Sequence, residues 1–247
     1  MSNLKPRYPN SAGRLLAILE NVKPNKPFIS ELGPLFFEEA PTKDAAQKAL
    51  LSIRSLSQLH SIYAEFIKDL SEADIPDEEK NVLITGTASL VSMMYPTSAD
   101  QNMRAVNAAE KALLEVCATR LPKENVIEPD DIENILQSII ELKQCVSDLP
   151  AGSILKTILL ELIRLSEDSI NRFNIYGAKG LKKAFKNMLA EVAEIYLQDD
   201  EEVSEIKKSN AWKKASEHLK IFDSVAAKAM KYKPLIEQAS GYLLGVV

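Results

Sequence analysis

The chain has 247 residues, 30 Lys and Arg against 35 Asp and Glu, a formal net charge of −5 and two cysteines. A chain of that length hides about 70–75% of its unfolded surface, so it needs neither disulfides nor a structural metal to fold. No run of about 18 or more apolar residues occurs, and the opening Met1-Ser2-Asn3-Leu4-Lys5-Pro6 has no apolar leader core; both exclude a membrane span and set the expectation of a cytoplasmic chain.

With only eight glycines, and with Ala, Leu, Glu, Lys and Ile filling the periodic stretches, the composition predicts an all-α fold. The pattern is that of a single multi-helix bundle of roughly eight to nine helices. Ser11 is a good N-cap for a first helix carrying Leu15, Leu16, Ile18, Leu19 and Val22 inward and stopping before Pro24. Pro24, Pro27, Pro34 and Pro41 then break a stretch in which Phe28, Leu32, Leu35 and Phe36 still demand burial, which predicts short helical turns. Thr42, with Asp44 in the first turn, opens a long helix to about Leu70, whose inner face is expected to hold Leu50, Ile53, Leu56, Leu59, Tyr63, Phe66 and Leu70.

The next helix begins at Asp74 or Pro76 and carries Val82, Leu83, Leu90, Val91 and Met94 around the small-residue patch Thr85 to Ser89. Ser98 with Gln101 is a candidate capping box for a helix to about Leu121. Pro129, followed by Asp130 and Asp131, signals the start of a helix to about Asp148 with Ile132, Ile135, Leu136, Ile139, Leu142 and Val146 inward. From Gly152 to Gln198 two amphipathic segments flank Asn174 to Gly180, where Gly177 and Gly180 suit a chain reversal; this predicts an αα-hairpin. The acidic run Asp199 to Glu202 reads as a linker, dividing a body (1–198) from a C-terminal helical segment (204–247) across residues 199–203.

That last segment is basic: residues 203–247 hold eight lysines against Glu205, Glu217, Asp223 and Glu237, leaving about −9 for the rest. Trp212, Ala215, Leu219, Phe222, Ala226 and Ala229 recur at alternating three and four, the rhythm of a close-packed seam, and Tyr242, Leu243 and Leu244 make the terminus unusually apolar. The seam and the tail together are the expected partner-binding surface.

For chemistry the sequence offers little. Gly-x-Ser-x-Gly, His-Glu-x-x-His and Cys-x-x-Cys arrangements are missing, and no cofactor or metal is implied. Cys117 and Cys145 fall on apolar stripes and read as buried free thiols. Lys179, Lys182, Lys183 and Lys186 crowd a helix start, where the macrodipole disfavours positive charge; an anionic ligand, a nucleic-acid backbone, an acidic partner surface or the acidic run just downstream would offset that. Arg54 lies six positions before His60 in a helix. The pair resembles the Arg-x(4-6)-His motif of HEPN ribonucleases, which implies His60 as general acid or base and Arg54 as stabiliser of phosphorane charge. On one helix, however, six positions place them about 120° apart.

Three stretches, Ser11 to Glu20, Leu114 to Leu121 and Tyr176 to Leu181, resemble a broad group of uncharacterised helical bacterial proteins. The resemblance implies a bacterial, cytosolic, all-helical protein and carries no activity. A module of that kind would find its setting in a toxin-antitoxin, phage-defence or regulatory system. The function expected from the residues is therefore non-enzymatic: a helical protein-protein interaction module that forms a homo-oligomer or binds a protein partner. The alternative is an RNA-acting protein that uses Arg54, His60 and the lysines.

Overall fold

The computed structural model describes residues 7–37, 44–94, 102, 104–125, 127–197, 200–230 and 233–238. These form the helices α1 (Ser11–Asn21), α2 (Phe28–Phe36), α3 (Ala45–Glu72), α4 (Asp77–Thr87), α5 (Ala108–Arg120) and α6 (Pro129–Ser147). After them come α7 (Ile154–Asn171), α8 (Phe173–Ala193), α9 (Asp200–Lys208), α10 (Asn210–Met230) and α11 (Leu235–Gln238). Two 3-10 segments, Ala88–Met94 and Glu194–Leu197, extend α4 and α8. The fold is an all-α, multi-helix one. Among the described residues no strand forms, and an isolated bridge joins Pro27 and Asn102.

The chain divides into two compact units, Ser2–Lys123 with Asn174–Gly177, and Glu124–Phe173 with Ala178–Val247. The division therefore falls at Lys123 and not in the acidic run at 199–203. In the first unit α1 packs on α3 and α5, α2 on α3, and α4 on α5, around Leu15, Ile18, Leu32, Phe36, Phe66 and Leu114. Two polar contacts lie within this core. The buried Arg14 meets Glu65 at 2.9 Å, and Ser11 Oγ donates to Asp69 at 2.7 Å.

Asn10, rather than Ser11, is the N-cap of α1, and it serves two helices at once. Its Oδ1 accepts from Gly13 N at 3.0 Å, while its Nδ2 donates to the carbonyls of Ala118 and Leu121 at the end of α5. One amide thus satisfies orphan groups at the start of one helix and the end of another. A Cβ on Gly13 would lie 2.1 Å from the Tyr8 carbonyl oxygen, so only glycine allows the chain to enter α1 along this path.

Several starts differ from expectation. Ser98 and Gln101 lie outside the described residues, and the helix leading to Arg120 begins at Ala108, where Asn107 and Glu110 form the capping box. Arg104 clamps Glu110 with two bonds of 2.7 and 2.6 Å, while Ser89 Oγ donates to the same carboxylate at 2.9 Å. Those donors hold Glu110 down at about 2. Asp44 is the cap of α3, accepting from Ala46 and Gln47, and Thr42 lies outside the described residues. The acidic run is not a linker over its described part. Asp200, Glu201 and Glu202 make the first turn of α9, where the helix dipole favours negative charge, and Val203 and Ile206 are buried.

In the second unit α6 and α10 run antiparallel: Lys214 pairs with Glu141 at 2.9 Å near one end and Lys228 with Asp131 at 2.7 Å near the other. α7 packs against both. The reversal between α7 and the later part of α8 is centred on Gly177, which takes φ 60° within α8, and Ser166 Oγ meets Met188 Sδ at 3.8 Å across it. Gly180 is helical. Pro129 occupies the first position of α6 with Asp130 and Asp131 behind it, as the sequence predicts.

Replacing Asn10 with alanine removes a cap and two buried donors, so Asn10→Ala is expected to lower unfolding stability in urea by about 2–3 kcal/mol. Asn10→Asp keeps the cap of α1 but sets a carboxylate against two carbonyls, and is expected to lose as much. A change below about 0.5 kcal/mol in either variant would show that the amide does not join the two helices.

Candidate functional site

Among the described residues of the second unit, a constellation of reactive side chains brought together from distant parts of the chain is centred on His218. Ser138 comes from α6, Ser166 from α7 and His218 from α10, each from the buried stripe of its helix. Ser138 Oγ lies 2.7 Å from Nδ1 and Ser166 Oγ 2.7 Å from Nε2, with the ring of Phe222 tilted beside the imidazole at 6.1 Å. Each serine also reaches a carbonyl of its own helix, Ser138 that of Ile135 at 2.8 Å and Ser166 that of Leu162 at 2.7 Å.

Counting hydrogens fixes what the cluster can do. A neutral ring brings one N–H, so of the two ring contacts one is donated by the ring and the other by a serine hydroxyl; the second hydroxyl is left for its carbonyl. A doubly protonated ring would donate to both serines and free both hydroxyls for the carbonyls. The bonding pattern thus accepts either state. Desolvation does not, and it pushes the His218 ring down to about 4. His218 and Ser166 are fully buried and Ser138 nearly so, which leaves no approach for a substrate to a serine nucleophile. The arrangement orders three helices. Sequence reading registers His218 only as one of two histidines. The missed signal is three polar residues, each on an otherwise apolar stripe.

The seam residues Trp212, Leu219 and Phe222 belong to this same core, and Leu219 and Phe222 are wholly buried. They are interior contacts of the second unit and not a partner-binding surface; their rhythm reports packing of α10 on α6 and α7. Tyr242, Leu243 and Leu244 lie outside the described residues.

At the lysine-rich start, the break at Gly177 exposes the amide of Ala178, and Glu124 Oε2 accepts from it at 3.0 Å. The chain's own carboxylate therefore stands where an anion would bind, offsetting both the dipole and the lysines. Lys179 and Lys182 are half-buried, and Lys183 and Lys186 are exposed. On α8 the four lie at i, i+3, i+4 and i+7 and so share one face of the helix.

Arg54 and His60 sit on the continuous helix α3, about 120° apart around its axis. The Arg54 guanidinium lies over the ring of Phe37, 4.3 Å from its centroid, and His60 is half-buried. They do not converge on a common point. Among the described residues no group of three or more His, Cys, Asp or Glu is placed to hold a metal ion, and Cys117 and Cys145 are free thiols. Burial pushes the Cys117 thiol up to about 11, so it is no nucleophile.

α3 also carries two stripes. The inward one holds Leu51, Ser55, Leu59, Ile62, Phe66 and Leu70. Leu50 and Ile53, expected on that face, are 57% and 65% exposed. They begin a second stripe at alternating four and three: Ala46, Leu50, Ile53, Ser57, the half-buried His60, and Ala64. Arg54 is the one exposed charged residue between Ala45 and Ala64. Val82 and Leu136, also expected inside, are 68% and 38% exposed.

The unfolded chain takes a proton on His218 near 6.5, whereas the folded chain holds it off until about 4. Folding is thus at full strength above pH 6.5, weakens as pH falls through the interval, and levels off below 4, a loss of about 3 kcal/mol. The comparison is urea unfolding across that interval for the native chain and His218→Gln, which should lack this contribution. A ring that titrates near 6.5 in the folded chain by NMR would overturn the assignment.

Comparison with protein-family models, curated proteins and solved structures returned no match to this chain.

Proposed function

We propose that this chain is a non-enzymatic helical protein-interaction module that works in the cytoplasm by self-association or by binding a protein partner. The observation that supports it is the outer stripe of α3. Single exposed apolar residues are ordinary on a protein surface, but Leu50 and Ile53 are aligned one turn apart within a heptad rhythm that continues through Ser57 and Ala64. Burying each large side chain is worth about 1.5–3 kcal/mol, and the small residues after them let a second helix approach closely. Helix-on-helix docking is the recognition mode such a face serves.

The polar groups point the same way. Those best placed for chemistry are spent on each other, as in Ser138, His218 and Ser166, or on helix ends, as in Glu124 and Asn10. The free thiols fit a reducing compartment. Among the described residues no helix is long and apolar enough to cross a membrane. The bacterial setting implied by the resemblance of the Ser11, Leu114 and Tyr176 stretches belongs to the same proposal.

Native mass spectrometry on the gently purified full chain is expected to find a homo-oligomer or a stoichiometric protein complex. Ile53→Glu is expected to reduce it to the 27.4 kDa single chain with an unchanged far-ultraviolet helical signal. A native chain that stays bare and monomeric, or a complex that survives the substitution, would remove the role given to α3.

A further inference from the structure

At one end of the second unit a short stretch of chain holds two helices at once. Glu124 and Asn125 lie side by side in the non-helical run before α6. The Glu124 carboxylate accepts from Ala178 N at 3.0 Å, at the start of the later part of α8, and Asn125 Nδ2 donates to the carbonyl of Lys228 at 2.7 Å, in the last turn of α10. A little further on, Ile127 is buried in the core of the unit, and Asp131, in the first turn of α6, pairs with the Lys228 ammonium at 2.7 Å.

Each of the two capping bonds answers a different need. The turn at Gly177, φ 60° and ψ −160°, interrupts α8, and an N–H at a new helix start wants an acceptor, best of all a negative one. At the end of α10 the carbonyls lack donors, and the Asn125 amide supplies one. An acceptor and a donor thus stand on neighbouring residues and serve opposite ends of two helices. One rigid peptide joins them, with Cα atoms about 3.8 Å apart, so a movement that breaks one bond pulls on the other. The junction of Ser138, Ser166 and His218 is remote from this end: Lys228 follows His218 by ten residues of continuous helix, about 15 Å.

We propose that Glu124, Asn125, Ile127 and Asp131 form a strap that closes this end of the second unit, and that it opens in a single step. Opening releases the start of the later part of α8 and the end of α10 together, while the histidine and its two serines stay joined. The inference is independent of the outer stripe of α3 and of what covers it.

Native-state hydrogen exchange of the full chain, followed by NMR in urea below the unfolding transition, tests the strap without any substitution. The amides of Ala178 and Met230 are expected to exchange through one opening with the same urea dependence, and more readily than Leu219 beside the histidine. Different urea dependences at Ala178 and Met230, or exchange of both only together with Leu219, overturn the proposal. Three variants then probe the coupling. Asn125→Ala is expected to speed exchange about tenfold at Ala178, which Asn125 does not touch, and Glu124→Ala to do the same at Met230. Glu124→Gln keeps an acceptor oxygen and is expected to leave both amides near their native rates. If each alanine variant speeds exchange only in the helix that its own side chain caps, Glu124 and Asn125 are two separate caps and the strap is overturned.

Discussion

An imidazole held between two hydroxyls fixes three helices at a single point. Taking His218 into an apolar core costs far more if either ring nitrogen is left alone, so α6 must present Ser138 and α7 must present Ser166, each within hydrogen-bond reach. Rotating any of the three helices by one residue would swing its polar group about 100° away and strand the other two. The leucines and isoleucines around them could pack in more than one register. The polar contact admits one, and the positions of Trp212, Leu219 and Phe222 follow from it.

Asn10 does the corresponding work in the first unit by a different device. It joins backbone to backbone through a side chain, so the beginning of α1 and the end of α5 are set without an ion pair. Two of the three stretches that resemble other helical proteins, Ser11 to Glu20 and Leu114 to Leu121, meet at this contact. Part of the third also belongs to the first unit: Ile175 is fully buried in its core, and Tyr176 donates to Gln58 at 2.7 Å. Sequence fragments far apart along the chain are therefore parts of one packing problem.

Much of the fold was legible because local signals and tertiary contacts agreed. Pro129 at a helix start, the stop before Pro24 and the reversal at Gly177 rest on backbone chemistry that the residue type alone dictates. Legibility failed where periodicity had to say which of two faces goes inside. On α3 the set containing Leu50 and Ile53 and the set containing Leu51 and Ser55 both keep helical spacing, and the packing of α1, α2 and α4 on the helix selects the second. The Trp212 stripe was read correctly as close-packed but assigned to a partner, since a rhythm of three and four tells that a face is covered and not by what. The capping box of α5 is itself a local pattern, Asn107 followed three residues later by Glu110, and went unread because the helix start was sought earlier, at Ser98. The candidate site itself was the least legible part, because Ser138, Ser166 and His218 are separated by long stretches of sequence and each alone looks like a chance polar residue.

The chain passes from the first unit to the second after Lys123, returns at Asn174 and leaves again after Gly177. The first core is therefore unfinished when Lys123 has been made: it lacks Ile175 until α6 and α7 of the other unit have already emerged from the ribosome. Vectorial synthesis, which usually lets an N-terminal unit fold before its successor appears, cannot complete the two in order here. A nascent chain halted before Ile175 carries an apolar core with an open place in it, and the last step of folding the first unit waits on the middle of the second.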